Sequence, residues 1–244
     1  MIRYTRNILD WLGERGFIVL MAMLIVVAGT WGFIELAGEV TEGETQQVDE
    51  RLVRVMRNPN DPADPVGPRW LEEAGRDVTA LGGVLVLALM TATVVGYLFI
   101  DGKRRSALFV LFATAGGLIL STALKHFFDR PRPGAVPHLS YVYTSSFPSG
   151  HSMLSAAVYL TLGSLLMRFQ PRRRLKIYFL FVATVLTVLV GISRVYMGVH
   201  YPTDVLAGWT AGLVWALICW LAARALQIHH VVERDYESQP KTSP

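Results

Sequence analysis

Six long apolar runs dominate this chain and restrict the folds that it can adopt. A helix needs about 20 apolar residues to cross a bilayer, and most of the runs have that length. Six buried helices of a soluble protein would leave almost no amphipathic surface to cover them. The pattern therefore predicts an all-α polytopic membrane protein with six transmembrane helices. The runs are Gly16–Ile34, Val78–Ile100, Ser106–Leu124, Ser152–Met167, Ile177–Ser193 and Val205–Ala223.

The composition excludes other broad classes. Of the 244 residues, 52% are hydrophobic and 17% are charged, whereas soluble domains carry about 25% charged residues. Disordered chains need low hydrophobicity and high net charge, so this composition excludes a disordered chain. The net charge of +4 does not indicate a nucleic-acid partner. The single cysteine, Cys219, excludes an intrachain disulfide and lies inside the sixth run, where we expect a packing role. The oligomeric state stays open.

The distribution of Lys and Arg predicts the orientation in the membrane. Basic residues concentrate in the N-terminal tail and in the loops 101–105 and 168–176, which share one side if the chain crosses six times. Cytoplasmic loops are rich in Lys and Arg. We therefore predict a multi-pass protein of the plasma (inner) membrane with both termini in the cytoplasm. The run Gly16–Ile34 follows basic residues, as the apolar region of a signal peptide does. The run is longer than such a region and lacks a clear cleavage site, so we expect a retained membrane anchor.

The first external segment, Val40–Asp77, has a different composition. It holds nine acidic residues against five arginines, and its proline-rich centre, 58–68, excludes a helix or a central strand. Before that centre, Val48, Leu52, Val55 and Met56 recur at helical spacing, which predicts a short amphipathic helix on the membrane surface. We expect a solvated linker with a surface helix, and a lid over a lipid entrance is the alternative.

Three polar clusters lie at the ends of spans three to six. They are Leu124–Pro133, Ser146–Ser152 and Ser193–Asp204. Spans three and four are antiparallel neighbours, and two more crossings bring the chain back, so all three clusters lie on the external side. Ionisable groups at the ends of spans are candidates for function.

The clusters contain groups that bind phosphate. Lys125, Arg132 and Arg194 supply positive charge, and the planar guanidinium fork of Arg matches phosphate oxygens. Ser149 can cap a helix start, and Gly150 lets backbone approach a ligand. Pro202 suits the first turn of the sixth helix. Two helix N-termini directed at one place form an anion site, so a phosphate group is the predicted ligand.

Two histidines of the same clusters supply reactive groups. One of His151 and His200 can attack phosphorus while the other donates a proton to the leaving oxygen. Asp204 follows His200 by four residues, close enough to accept from its Nδ1–H and leave Nε2 free. Any one of these residues alone is typical of a side chain at the membrane interface. Their occurrence together on the external side indicates a catalytic site.

At these positions the chain resembles the type 2 phosphatidic acid phosphatase family in its membrane-bound bacterial form, which shares its site with the vanadium haloperoxidases. The family motif has three parts, K-x6-R-P, P-S-G-H and S-R-x5-H-x3-D. All three match in order between Lys125 and Asp204, inside a motif-bearing stretch of about residues 106–223.

The resemblance implies a role for each matching residue. The phosphate-binding residues would be Lys125, Arg132, Ser149, Gly150 and Arg194. His200 would be the nucleophile and form a phosphohistidine, Asp204 would orient it, and His151 would protonate the leaving group. No metal and no other cofactor is implied.

The predicted function is hydrolysis of a phosphomonoester or diphosphate of a membrane lipid at the external membrane face. The resemblance implies undecaprenyl diphosphate, phosphatidylglycerol phosphate or phosphatidic acid as substrate, and an external site favours the carrier lipid diphosphate. A phosphotransferase that uses the same phosphohistidine and a non-catalytic lipid binder or transporter are the alternatives. The predicted organisation is an N-terminal part with two spans, a phosphatase core with four spans and a cytoplasmic tail, at 1–105, 106–226 and 227–244.

Residues near the motifs are expected to have structural roles. We expect Arg130 and Asp129 to form a surface ion pair, with tuning of the first motif as the alternative. Gly208-x-x-x-Gly212 allows close helix packing, either inside the bundle or between subunits, and His229-His230 is expected in the tail. Tyrosines at the ends of spans are typical of the interfacial aromatic belt; these are Tyr141, Tyr143, Tyr196 and Tyr201.

Overall fold

The computed structural model describes residues 2–140, 142 and 144–228, with the backbone alone for residues 2–15. His229, His230, Tyr141 and Tyr143 lie outside the described residues. Within these ranges the chain consists of helices and one short hairpin. The elements are α1 (Ile2–Glu42), α2 (Gln46–Val55), β1 (Arg57–Asn58), β2 (Asp61–Pro65), α3 (Arg69–Leu81), α4 (Val84–Ile100), α5 (Arg104–Phe128), α6 (Gly150–Arg168), α7 (Arg173–Tyr196) and α8 (Pro202–Ile228).

Five of the described helices are long and apolar enough to cross a membrane, and a bent pair of helices supplies a sixth candidate crossing. The predicted all-α polytopic fold is confirmed. The second span differs from the prediction, because the run Val78–Ile100 is not one helix. α3 ends at Leu81, α4 begins at Val84, and their axes differ by 50°.

Two glycines, Gly82 and Gly83, separate α3 from α4. Glycine is unfavourable inside helices, and the Tyr159 hydroxyl of α6 donates to the Leu81 carbonyl at 2.7 Å, which gives the end of α3 a partner outside its own helix. A Cβ at Gly82 would collide with α7 and come within 3.3 Å of the His151 Cβ. The break therefore lets the second span pass close to the start of α6.

α6 is the central helix of the bundle. Of its most apolar window 67% is buried, against 11% for α1. This position explains the low hydropathy of the fourth run, 1.2 against 2.5 for α1, because α6 faces other helices rather than lipid. Its polar residues Ser152, Ser155 and Thr161 are buried within the protein.

Gly208 and Gly212 place α8 directly against α6. A Cβ at Gly208 would lie 2.6 Å from the Ser149 carbonyl oxygen, and a Cβ at Gly212 would collide with the Met153 carbonyl oxygen. Backbone atoms cannot move aside as a flexible side chain does. The glycine pair therefore packs inside the bundle, which decides between the two alternatives that the sequence left open.

We expect Gly212→Ala to destabilise the protein by about 1 to 3 kcal/mol, the usual cost of forcing extra volume into a packed site. The measurement is the Tm of the detergent-purified protein. Gly96→Ala in α4 is the matched control, since a Cβ there meets nothing within 4 Å, and its Tm should be unchanged or slightly higher. A wild-type Tm for Gly212→Ala would contradict the close packing.

Part of the external segment packs against the bundle, and part of it is solvated. α2 confirms the predicted amphipathic helix, with Val48, Leu52 and Val55 exposed on one face. A second face of the helix buries Asp49 and Val53, so α2 is not only a solvated surface helix, whereas four of the five residues of β2 are exposed, as expected of a solvated linker. The proline-rich stretch forms the antiparallel hairpin β1–β2, whose free edge tolerates proline. Val53 lies in an apolar cluster with Val136, Val195, Tyr201 and Val205.

Candidate active site

The three polar clusters meet at one end of the bundle. The loop that follows α5 contacts the loop before α8, where Arg132 Nη1 donates to the Val199 carbonyl at 2.6 Å. The starts of α6 and α8 are joined by a hydrogen bond from the Ser149 N–H to the Asp204 carbonyl at 2.9 Å. Residues that are far apart along the chain thus form one constellation.

His200 lies in the loop between α7 and α8 and is 1% exposed. Its Nδ1 is 3.4 Å from Asp204 Oδ2, and its Nε2 is 3.1 Å from Arg132 Nη1. A guanidinium can only donate, so Nε2 accepts and the proton is assigned to Nδ1. Burial lowers the pKa of His200 to about 3; the hydrogen bond and charge of Asp204 oppose this shift, and the charges of Arg194 and Arg132 add to it. The imidazole is therefore neutral near pH 7, with its lone pair at Nε2.

Asp204 lies in the first turn of α8, and its contacts fix the orientation of the carboxylate. Oδ2 accepts hydrogen bonds from the Ser146 hydroxyl at 2.5 Å and from the Tyr201 N–H at 2.9 Å, besides facing His200. Oδ1 accepts from Arg130 Nη1 at 2.6 Å. The carboxylate cannot rotate without breaking several hydrogen bonds, so it holds the His200 ring in one orientation.

The three cations predicted from the motifs surround the histidines. Lys125 Nζ donates to the Ser145 carbonyl at 2.7 Å, and Arg194 Nη1 donates to the Thr79 hydroxyl at 2.9 Å. The charges of Arg132 and Arg194 repel that of Lys125, and an anion between them would relieve the repulsion. The buried Nε of Arg194 has no hydrogen-bond partner among the described residues, which leaves a donor available to a ligand.

The start of α6 has the predicted geometry. Ser149 is the N-cap, and its hydroxyl accepts from the Ser152 N–H at 3.4 Å. A Cβ at Gly150 would lie 3.0 Å from Lys125 Cε, so glycine lets the lysine pass close to the helix start. His151 follows in the first turn, where it experiences the charges of Arg194, Lys125 and Arg132. The two histidines therefore share one set of cations.

Two further residues belong to this constellation: Asp49, which sequence reasoning missed, and Arg130, which it expected at the surface. Arg130 is 8% exposed and forms ion pairs with two buried carboxylates, those of Asp49 and Asp204. Burial opposes its charge, but Asp204 and Asp49 together raise the pKa of Arg130 above its usual value. The expected surface pair with Asp129 is therefore wrong. Tyr201 is also buried, with its ring 4.3 Å from the Arg130 guanidinium, and does not belong to the interfacial belt.

Asp49 carried a signal in the sequence that can be recognised afterwards. Asp49 and Val53 are spaced by one helical turn, on a different face from Val48, Leu52 and Val55. A short helix with two apolar faces packs against protein on one of them, and an acid on that face needs a buried partner. Nothing in the spacing showed which cation that partner is.

A metal site was not predicted, and the described residues hold no group of three or more His, Cys, Asp or Glu side chains that could bind a metal ion. Independence from metal stays a prediction, which an activity measurement with a chelator tests.

Comparison with known proteins gives these observations a family. The model of the PAP2 superfamily matches residues 106–228, which include every site residue predicted from the sequence. The chain belongs to the PAP2 superfamily. Phosphatidylglycerophosphatase B from Bacillus subtilis is 33% identical over 188 residues, which cover 75% of this chain and 86% of that protein.

A solved structure and another known protein are also similar to this chain. The crystal structure of a transmembrane PAP2-type phosphatidylglycerolphosphate phosphatase from Bacillus subtilis matches with a TM-score of 0.71 and 31% identity, over 80% of this chain and 94% of that chain. An undecaprenyl-diphosphatase from Sulfolobus acidocaldarius is 36% identical over 34% of this chain and 33% of that protein. The predicted family, the multi-pass helical fold and the class of enzyme, a membrane-bound phosphatase, are thereby confirmed.

Proposed function

We propose that this protein hydrolyses the phosphate group of a membrane lipid through a phosphohistidine at His200, on the external face of the membrane. The observation that carries the proposal is the state of His200, a buried neutral imidazole with Nδ1 directed at Asp204 and Nε2 beside Arg132. A neutral Nε2 lone pair among fixed cations is what an attack on a phosphate dianion needs.

In the first step, His200 Nε2 attacks phosphorus and the bond between phosphorus and the lipid oxygen breaks. His151 gives a proton to that oxygen, so the lipid leaves as an alcohol or, from a diphosphate, as a monophosphate. Lys125, Arg132 and Arg194 neutralise the phosphoryl oxygens, and Asp204 stabilises the positive charge that forms on His200. A bound phosphate dianion also favours the protonated form of His151.

In the second step, water attacks phosphorus and breaks the bond to His200 Nε2. His151, neutral after the first step, accepts a proton from the water, so both histidines return to their initial states and inorganic phosphate leaves. If a lipid or sugar hydroxyl replaced water, the same intermediate would transfer the phosphoryl group instead.

The distribution of basic loops supports an external site. The candidate site lies at the end of the bundle where α5 ends and α6 begins, whereas Lys103, Arg104 and Arg105 lie at the start of α5, at its other end. Arg172, Arg173 and Arg174 lie where the loop after α6 leads into the start of α7, also at that other end. Cytoplasmic loops are the basic ones, so the site faces the periplasm or exterior and both termini face the cytoplasm.

Phosphatidylglycerol phosphate is the first substrate to test, because the phosphatidylglycerophosphatase from Bacillus subtilis is similar over most of both chains. Undecaprenyl diphosphate, which the external position favours, and phosphatidic acid complete the panel. We expect inorganic phosphate to be released, with kcat/KM for the preferred lipid at least about tenfold above the others, a difference of about 1.4 kcal/mol in transition-state binding.

The same assay tests the alternatives. Activity should be unchanged in EDTA, and complete loss that a divalent ion restores would contradict the metal-free mechanism. Phosphorylated lipid or sugar products without free phosphate would indicate a phosphotransferase. The absence of turnover on every lipid, together with saturable binding, would favour a non-catalytic binder.

A further inference from the structure

The inward face of the external helix α2 carries a buried carboxylate whose partners all lie around the candidate site. Asp49 is 0% exposed. Its Oδ1 accepts from the Thr203 N–H at 3.1 Å, and its Oδ2 accepts from the Thr203 hydroxyl at 2.5 Å and from Arg130 Nη2 at 2.9 Å. Thr203 immediately precedes Asp204, so Asp49 holds the backbone at the start of α8.

Arg130 connects Asp49 to the carboxylate beside His200. Its Nη2 binds Asp49, while its Nη1 donates to Asp204 Oδ1 at 2.6 Å and to the Thr203 hydroxyl at 2.9 Å. The planar fork of a guanidinium can bridge two carboxylates in this way, whereas a lysine ammonium offers no such fixed geometry. A buried Asp49–Arg130–Asp204 chain therefore runs from α2 to His200.

The chain acts together with Ser146 and the Tyr201 N–H to set which oxygen of Asp204 faces the imidazole. Arg130 occupies Oδ1, which leaves Oδ2 for His200 Nδ1. Without Asp49, Arg130 would be a buried cation with one carboxylate partner fewer, held by Asp204, Thr203 and Gln46 alone. We expect it then to shift toward Asp204 and to displace that carboxylate. Small displacements of a group that orients a nucleophile reduce turnover strongly.

We propose that Asp49 and Arg130 are positioning residues for catalysis, and that the external helix α2 thereby belongs to the catalytic apparatus. Asp49 acts on Arg130, and Arg130 acts on Asp204. The proposal rests on the proposed roles of His200 and Asp204. It differs from a simple anchoring role for α2, in which the ion pair would stabilise the fold and leave the chemistry of correctly folded molecules unchanged.

The test is kcat and KM per mole of monodisperse protein for Asp49→Asn and Arg130→Gln. Loss of a residue that hydrogen-bonds to a functional side chain and orients it commonly lowers activity about 10-fold to 100-fold. We therefore expect kcat to fall by that factor, with KM within about threefold of the wild type. Because Asp49 acts through Arg130, the double variant should be no slower than Arg130→Gln alone.

Glu50→Gln is the matched control. It also removes a carboxylate from α2, but Glu50 pairs with Arg54 near the surface, and the amide keeps the oxygen that accepts from Gln46. Its kcat should equal that of the wild type. If Arg130→Gln does not yield folded protein, Thr203→Val replaces it, since this nearly isosteric change removes the hydroxyl that contacts both Asp49 and Arg130 and should lower kcat about threefold to tenfold.

The outcomes separate this inference from the proposed function. Wild-type kcat in Asp49→Asn and in Arg130→Gln or Thr203→Val, together with an inactive His200→Ala, would overturn the positioning role alone. Strictly multiplicative losses in the double variant would also overturn it, because they would mean that Asp49 does not act through Arg130. An active His200→Ala would overturn the proposed mechanism on which the inference rests.

Discussion

Replacing His200 by alanine will lower kcat on the preferred lipid phosphate by about 10⁴-fold or more. Removal of a nucleophile that acts together with an orienting carboxylate leaves only the contribution of binding and charge stabilisation. The His200 ring lies between Asp204 and Arg132. Because no other imidazole of the described residues lies between these two residues, His200→Ala removes the nucleophile without a substitute. The measurement is single-turnover phosphate release with purified protein in detergent.

His126→Ala is the control for this experiment, because His126 is exposed and lies next to Lys125 on the same helix. It should retain wild-type turnover and shows that loss of a histidine near the site is not itself harmful. A second measurement follows the configuration at phosphorus with a chiral substrate. Two successive displacements give overall retention, whereas direct attack by water gives inversion, which would contradict the phosphohistidine even if His200 proved essential.

Replacing His151 by alanine will have an effect that depends on the leaving group. A general acid contributes about 10² to 10⁴-fold to rate, and a lipid alcohol needs its proton in full. We therefore expect kcat/KM for a lipid monophosphate to fall about 10³-fold. For a nitrophenyl phosphate, whose leaving group departs as a stable anion, the loss should be about tenfold or less.

The same two substrates distinguish His151→Ala from His200→Ala. His200→Ala should lose activity on both substrates, because nucleophilic attack is needed whichever group leaves. His151 lies at the start of α6 close to the Gly82–Gly83 break, so the Tm of the variant is measured in parallel. Equal losses on both substrates in folded His151→Ala would contradict its role as the acid and would assign it to phosphate binding or packing.

Much of the fold followed from local patterns. Five spans coincide with apolar runs, and α6 and α8 begin where Ser149 and Pro202 indicated, because caps and proline act within one helical turn. The break at Gly82–Gly83 did not follow. Hydropathy counts apolar residues whether or not a helix bends, and this break depends on contacts with α6 and α7 that lie far away along the chain.

Part of the candidate site could likewise be predicted from the sequence, and part could not. Its histidines and cations follow from motif spacing together with the rule that neighbouring spans alternate direction, and the tautomer of His200 follows from the interval to Asp204. The buried Asp49–Arg130–Asp204 chain did not follow, because its first member is separated from the others by α3, α4 and α5. Asp49 and Arg130 alone have the appearance of ordinary polar residues at a membrane surface.

The amino-acid sequence by itself determined that this chain is a multi-pass helical membrane protein of a phosphatase family and where its candidate site lies, since apolar run length and motif spacing are properties of short stretches of chain. Only the tertiary structure decided that the external segment packs onto that site and that Arg130 is buried between two carboxylates. The physical reason is that a charged side chain such as Arg130 is buried only where folding brings groups of opposite charge to it. Its two partners, Asp49 and Asp204, come from α2 and α8, which lie far apart along the sequence.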